Sequence, residues 1–160
     1  MSELLFLDTE WATDASRELV SLALVNADGS KHFYAERDLL PRVVSSFVQQ
    51  FVYPLLERGD TALPDHVFTE RLRAFVVSCD NPRIHFDSQI DVVQLNQALA
   101  GFGDDKSGIP PYVPVHITRQ DVMDELERYF ENNLETSARR HHAGVDAEAL
   151  RRAFVTVVDP

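Results

Sequence analysis

Asp8, Glu10, Asp87 and Asp146, with one of the adjacent pair His141 and His142, have the types and spacing for chemistry. Asp8 and Glu10 close the run Leu4-Leu5-Phe6-Leu7-Asp8-Thr9-Glu10-Trp11, in which four apolar residues end abruptly in charge. Such a run predicts a buried strand that delivers carboxylates at its end. Alternate side chains of a strand share a face, so Asp8 and Glu10 point one way and Thr9 the other. Two carboxylates held together away from water repel each other unless a cation lies between them. An all-oxygen donor set of this kind suits magnesium or manganese. Alone, an Asp-x-Glu pair is more often a solvated turn after a strand, so it acquires meaning only with partners.

Two later stretches offer such partners. Asp87 follows the short strand pattern Arg83-Ile84-His85-Phe86 and precedes a helical pattern of Ile90, Val93, Leu95 and Leu99, closed by Gly101. A carboxylate at that corner is either oriented by the helix N-terminus or simply caps it. His85 reads as structural. Near the C-terminus, Arg139-Arg140-His141-His142-Ala143-Gly144-Val145-Asp146 reads as a polar loop feeding a last helix, whose apolar side is Ala147, Leu150, Ala153, Phe154 and Val157. The two arginines either steer a phosphate backbone or keep the loop soluble.

The elements that must hold these residues are legible as patterns. A second strand is expected over 18–25 and a third over 31–36, joined by the turn Asn26-Ala27-Asp28-Gly29-Ser30, so the chain opens as a three-stranded antiparallel meander. Val44, Phe47, Val48, Phe51, Val52 and Leu55 recur at helical spacing until Pro54 and Gly59 stop them, and Asp65 to Val77 carries a second helical pattern. Both aromatic-rich stripes are expected to face the core. Residues 101–114, with three glycines and three prolines, read as a loop. A long helix is expected from Thr118, with Asp121 in a variant capping box and Glu125, Glu127 and Glu131 on a solvated face.

At 160 residues, with 44% hydrophobic residues, the chain is expected to be a single domain with one good core. The net charge of −11 argues against a protein that coats nucleic acid through a basic face. It does not argue against an enzyme that meets phosphates through bound metal. No membrane-spanning run, no basic secretion signal and a lone cysteine, Cys79, lead to the expectation of a cytoplasmic protein with Cys79 in its core.

The order Asp-x-Glu at a first strand end, Asp at a strand-to-helix corner, then His-x4-Asp before the last helix resembles the DEDDh group of 3′-to-5′ exonucleases. That group includes ribonuclease T, oligoribonuclease and the proofreading subunit of bacterial replicative DNA polymerase. The likeness is greatest to a small bacterial exoribonuclease-like family whose first motif reads Asp-Thr-Glu-aromatic, continuing into a strand like Glu18-Leu19-Val20-Ser21. Its third motif, His-x-Ala-x-x-Asp-Ala, is matched by His141, Ala143, Asp146 and Ala147. The resemblance spans Leu5 to about Val157 and implies an α/β fold of the ribonuclease H-like kind, a mixed sheet flanked by helices. It implies that Asp8, Glu10, Asp87 and Asp146 hold two divalent ions, Mg2+ or Mn2+, and that His141 is the general base, with Glu10 beside it among the catalytic residues. Thr9, through its backbone, and Trp11 would meet the terminal nucleotide, Trp11 by stacking unless it is a core residue. The implied substrate is the 3′ end of RNA or single-stranded DNA, and members of the family tend to pair as homodimers. A catalytically dead binding module and a metal-dependent nucleotide hydrolase are the competing readings.

Overall fold

The apolar run at the N-terminus forms β1 (Leu4–Trp11), which lies inside the sheet with a partner on each side. In the computed structural model, which describes residues 1–158, the chain is an α/β fold with a mixed six-stranded sheet flanked by helices. β1 is followed by β2 (Leu19–Asn26) and β3 (His32–Arg37), the expected antiparallel meander. Gly29, at φ +75°, turns the chain between them, a conformation that costs glycine nothing. A two-residue strand, β4 (Ala62–Leu63), pairs parallel with β3, while β5 (Arg83–Phe86) and β6 (Val113–His116) extend the sheet in parallel from the other side of β1. The strand order is therefore β4-β3-β2-β1-β5-β6.

Two apolar layers enclose this sheet. Leu5 and Leu7 of β1 join Leu22, Leu24 and Phe33 against α1 (Asp65–Val77) and α2 (Gln89–Leu99). Phe6, Ala23 and Val25 face the opposite way, against α3 (Gln120–Asn132) and α5 (Ala143–Val158), with the short α4 (Leu134–Ser137) between those two helices. Strand alternation thus assigns the two faces of β1 to two different helix pairs. Cys79 is buried in the first layer, as expected. Among the described residues no helix is long and apolar enough to cross a membrane.

Three local expectations need correction. The stretch 44–55 is not one amphipathic helix facing the core: a π-helical turn (Val48–Val52) passes into a 3-10 turn (Tyr53–Leu55). Val48 and Val52 are buried, but Phe47 and Phe51 are about half exposed, because the wider π turn moves them off the stripe that an α-helix would bury. Residues 113–116, read as the end of a loop and the approach to a helix, form β6; Pro114 is tolerated there because β6 lies at the sheet's edge. The helix expected from Thr118 starts at Gln120 after Arg119, whose guanidinium pairs with Asp121 instead of a hydroxyl capping the turn.

Candidate metal centre

The register of the sheet brings the first carboxylates together. β1 and β5 run parallel with Phe6 opposite His85, so two residues further along Asp8 lies beside Asp87. α2 then starts with Ser88, whose hydroxyl accepts the Ile90 N–H, leaving Asp87 free of the capping role. One turn into the helix stands Asp91, which the sequence reading did not single out. Asp91 is buried, and its Oδ1 accepts the Thr9 hydroxyl at 2.7 Å and the Thr9 N–H at 3.2 Å. Thr9 therefore points to the α2 face, as strand alternation requires, and fastens that helix to the end of β1. Carboxylate oxygens of Asp8, Asp87 and Asp91 all lie within 4.8 Å of one another.

A second group completes the centre from the other face. Asp146 is in the first turn of α5, not in the preceding loop, and Glu10 meets it there. Ligand atoms of Glu10, His141 and Asp146 also lie within 4.8 Å of one another. Both groups line one cleft of about 430 Å³ at the end of β1. The structure thus brings all five candidate residues to a single place and adds Asp91 as a sixth. A signal for Asp91 exists in the sequence: it is an acid one helical turn from Asp87. It sits, however, three residues after Ser88, where a helix start commonly carries an acid to complement its dipole. That ordinary role masks it.

The electrostatics of the cleft are those of an acidic pocket that Arg140 offsets only in part. Burial, followed by the charges of Asp91, Glu10, Asp146 and Asp87, pushes the Asp8 carboxyl well above its usual range. Glu10 is pushed up to about 9, first by burial and then by Asp146 and Asp91. Asp91 and Asp146 are each raised to about 7, chiefly by burial, against the lowering effect of the Thr9 bonds on one and the His141 N–H on the other. Asp87 is raised by burial as well. Asp8 Oδ2, Asp91 Oδ2 and Asp146 Oδ1 are sealed from solvent with no hydrogen-bond partner among the described residues. Buried oxygens in that state are costly unless a proton or a cation satisfies them. Hard oxygen donors converging from three chain segments fit a divalent ion such as Mg2+ or Mn2+.

His141 enters the cleft from the loop before α5 with a left-handed backbone, φ +75°. Its N–H donates to Asp146 Oδ2 at 3.0 Å, and its half-buried ring stands edge-on to Phe47 at 4.8 Å between centroids. Burial, then the Arg140 cation, holds the imidazole below its ordinary pKa, so near neutral pH it is the free base. Arg140 itself is engaged: its guanidinium makes two bonds to Glu127 of α3, at 2.9 and 2.5 Å, and lies over the Phe130 ring. Glu127, on the exposed face as expected, also anchors Arg140. Arg139 lies 3.9 Å from Glu57.

Trp11 is half-buried beside the irregularity that shifts the β1–β2 register between Glu10 and Trp11, and it lines the cleft. Phe47 lines the same cleft, with Phe51 packed on it at 5.2 Å. Two aromatic rings thus share the lining of the cleft with the carboxylates, and Phe47 belongs to the cleft, not to the core. No protein-family model matches the chain, and no curated protein matches it.

Proposed function

We propose that this protein is a divalent-metal-dependent 3′-to-5′ exonuclease that shortens RNA from its end. The observation that carries the reading is the convergence of five carboxylates and one free-base histidine, with three sealed carboxylate oxygens that lack partners. Supporting it, the sheet combines an antiparallel meander with parallel strands beside its first strand, which is compatible with a ribonuclease H-like fold. Such folds with open sheets commonly place ligands at strand ends of the kind that β1 and β5 share here.

In this reading Asp8, Glu10, Asp87, Asp91 and Asp146 would hold two ions, Mg2+ or Mn2+. When bound, such ions would supply positive charge to steady the attacking and leaving oxygens of an in-line displacement. The chain's own residues do the rest. His141, unprotonated and facing the cleft, takes the proton from the attacking water. Asp146 holds His141 through the backbone N–H and so ties the base to the ligand set. Thr9 keeps Asp91 pointed into the centre from the opposite face. Trp11 and Phe47 offer ring surface to the terminal bases, which every base can use because each has a π-face.

Incubation with 5′-labelled RNA and DNA strands, single and duplex, in Mn2+ or Mg2+ tests the reading. A ladder shortening from the 3′ end is expected, stopped by chelator. Turnover of nucleoside triphosphates with intact strands would replace the exonuclease by a nucleotide hydrolase. Tight Mn2+ binding with no turnover of either substrate would leave a binding module.

A further inference from the structure

His142, beside the base, is sealed in a setting that the reaction itself does not require. Its ring is 5% exposed. Nδ1 accepts the Gly144 N–H at 3.1 Å and the Val145 N–H at 3.4 Å, so the ring occupies the place of a side-chain cap on α5. Because Nδ1 accepts, the ring hydrogen resides on Nε2, which lies 3.1 Å from Glu57 Oε1, off the line of a good hydrogen bond. One ring face stacks on Tyr34 of β3 at 4.5 Å between centroids. The ring also packs close to Gly144: a Cβ there would stand 3.1 Å from its edge, so the ring would have to give by a few tenths of an ångström.

Those contacts continue inward to an anchor. Tyr34 donates its hydroxyl to Glu36 at 2.7 Å, and Glu36 is completely buried. The Glu36 carboxylate also accepts the N–H groups of Glu57 and Arg58, at 2.5 and 3.0 Å, and the Arg58 guanidinium at 3.3 Å. One imidazole therefore joins three pieces: the start of α5, strand β3, and the loop at 57–58. His141 sits next to it in a left-handed conformation that residues with a Cβ avoid unless their surroundings impose it.

We propose that His142 is a positioning residue that, through its cap on α5 and its stack on Tyr34, holds His141 in its left-handed conformation and aims the base into the cleft. This rests on the exonuclease reading for its kinetic consequence, but not for the conformational claim. A misplaced base loses turnover while most of the ligand set stays, because Asp8, Glu10, Asp87 and Asp91 come from β1, the β5–α2 corner and α2, outside the helix that His142 caps.

The test compares His142→Ala with His142→Asn, whose side-chain oxygen can still accept the α5 N–H groups. In His142→Ala, kcat on a labelled oligoribonucleotide is expected to fall about 10- to 100-fold while KM and Mn2+ affinity by calorimetry stay within threefold. His142→Asn is expected to recover much of the loss. Hydrogen exchange at the His141 amide, bonded to Asp146 in the wild type, is read alongside: faster in His142→Ala, restored in His142→Asn. Unchanged kcat and exchange in His142→Ala would overturn the proposal, as would loss of Mn2+ affinity in step with kcat, or no rescue by His142→Asn. Should the wild type cleave no strand, the nuclease reading fails, and the exchange measurement still decides whether His142 positions its neighbour.

Discussion

Held in chelator, this protein should lose stability as pH rises, opposite to a domain whose carboxylates are salt-bridged. Glu10 is pushed up to about 9 in the folded chain, and Asp91 and Asp146 to about 7, against ordinary values near 4 when unfolded. Between those limits the folded state holds more protons than the unfolded one. Stability is then greatest at low pH and is lost as pH rises through the folded-state values. His85, His141 and His142, all held low chiefly by burial, work the other way, mainly below about pH 6.5, where the unfolded imidazoles are more than half protonated. From about pH 6.5 to 8 the carboxylates therefore dominate.

One excess proton in the folded state changes stability by about 1.4 kcal/mol per pH unit, hence by about 2 kcal/mol over that window. For a domain of this size, about 2–4 °C of Tm accompanies each kcal/mol, so the chelated protein should melt about 4–8 °C lower at pH 8 than at pH 6.5. Scanning calorimetry in chelator measures this. Saturating Mn2+ should flatten the dependence and raise Tm most at pH 8, since the ion replaces the protons that the carboxylates otherwise need. Asp146→Asn, with one charge fewer, should show a shallower slope in chelator and a smaller response to Mn2+. A chelated wild type whose Tm is flat or rises between pH 6.5 and 8 would refute the electrostatic picture of the cleft.

Three further outcomes follow from named contacts. His141→Ala should lower kcat on RNA by about 10²–10⁴-fold with Mn2+ binding by calorimetry preserved, if, as proposed, the side chain supplies proton transfer while the carboxylates hold the ions. Phe47→Ala should raise KM for oligonucleotides about 5- to 100-fold and leave kcat within a few-fold, the range expected if one stacked base is lost. Glu36→Ala should destabilise the fold by about 3 kcal/mol or more in urea melts, since it strands the Tyr34 hydroxyl, two backbone N–H groups and the Arg58 guanidinium.

Much of the architecture is written in local pattern. The four apolar residues before Asp8 and the alternation after them are enough to predict a buried strand with Asp8 and Glu10 on one face. The turn at 26–30, the helix over 65–77 and the close of α2 at Gly101 are likewise matters of period and breaker, which neighbouring residues decide among themselves. His141 and Asp146 are marked by the likeness of His141, Ala143, Asp146 and Ala147 to a known motif and not by residue type, since an acid at a helix start is ordinary.

What tertiary structure alone decided is how distant segments meet. Asp91 looks like an ordinary first-turn acid until β1 and α2 are packed and Thr9 is found holding it. Phe47 and Phe51 have core spacing, and only the π turn, packed by Val48 and Val52, swings them to the cleft and to solvent. β6 becomes a strand because β5 offers it an edge, not because Val113-Pro114-Val115-His116 prefers to be one. The buried Glu36 carries no pattern at all: its donors come from Tyr34, Glu57 and Arg58 only after the chain has folded back. Periodicity reports which side of an element is apolar, whereas the charge and geometry of a pocket are sums over side chains far apart in the chain, and those sums exist only in the folded state.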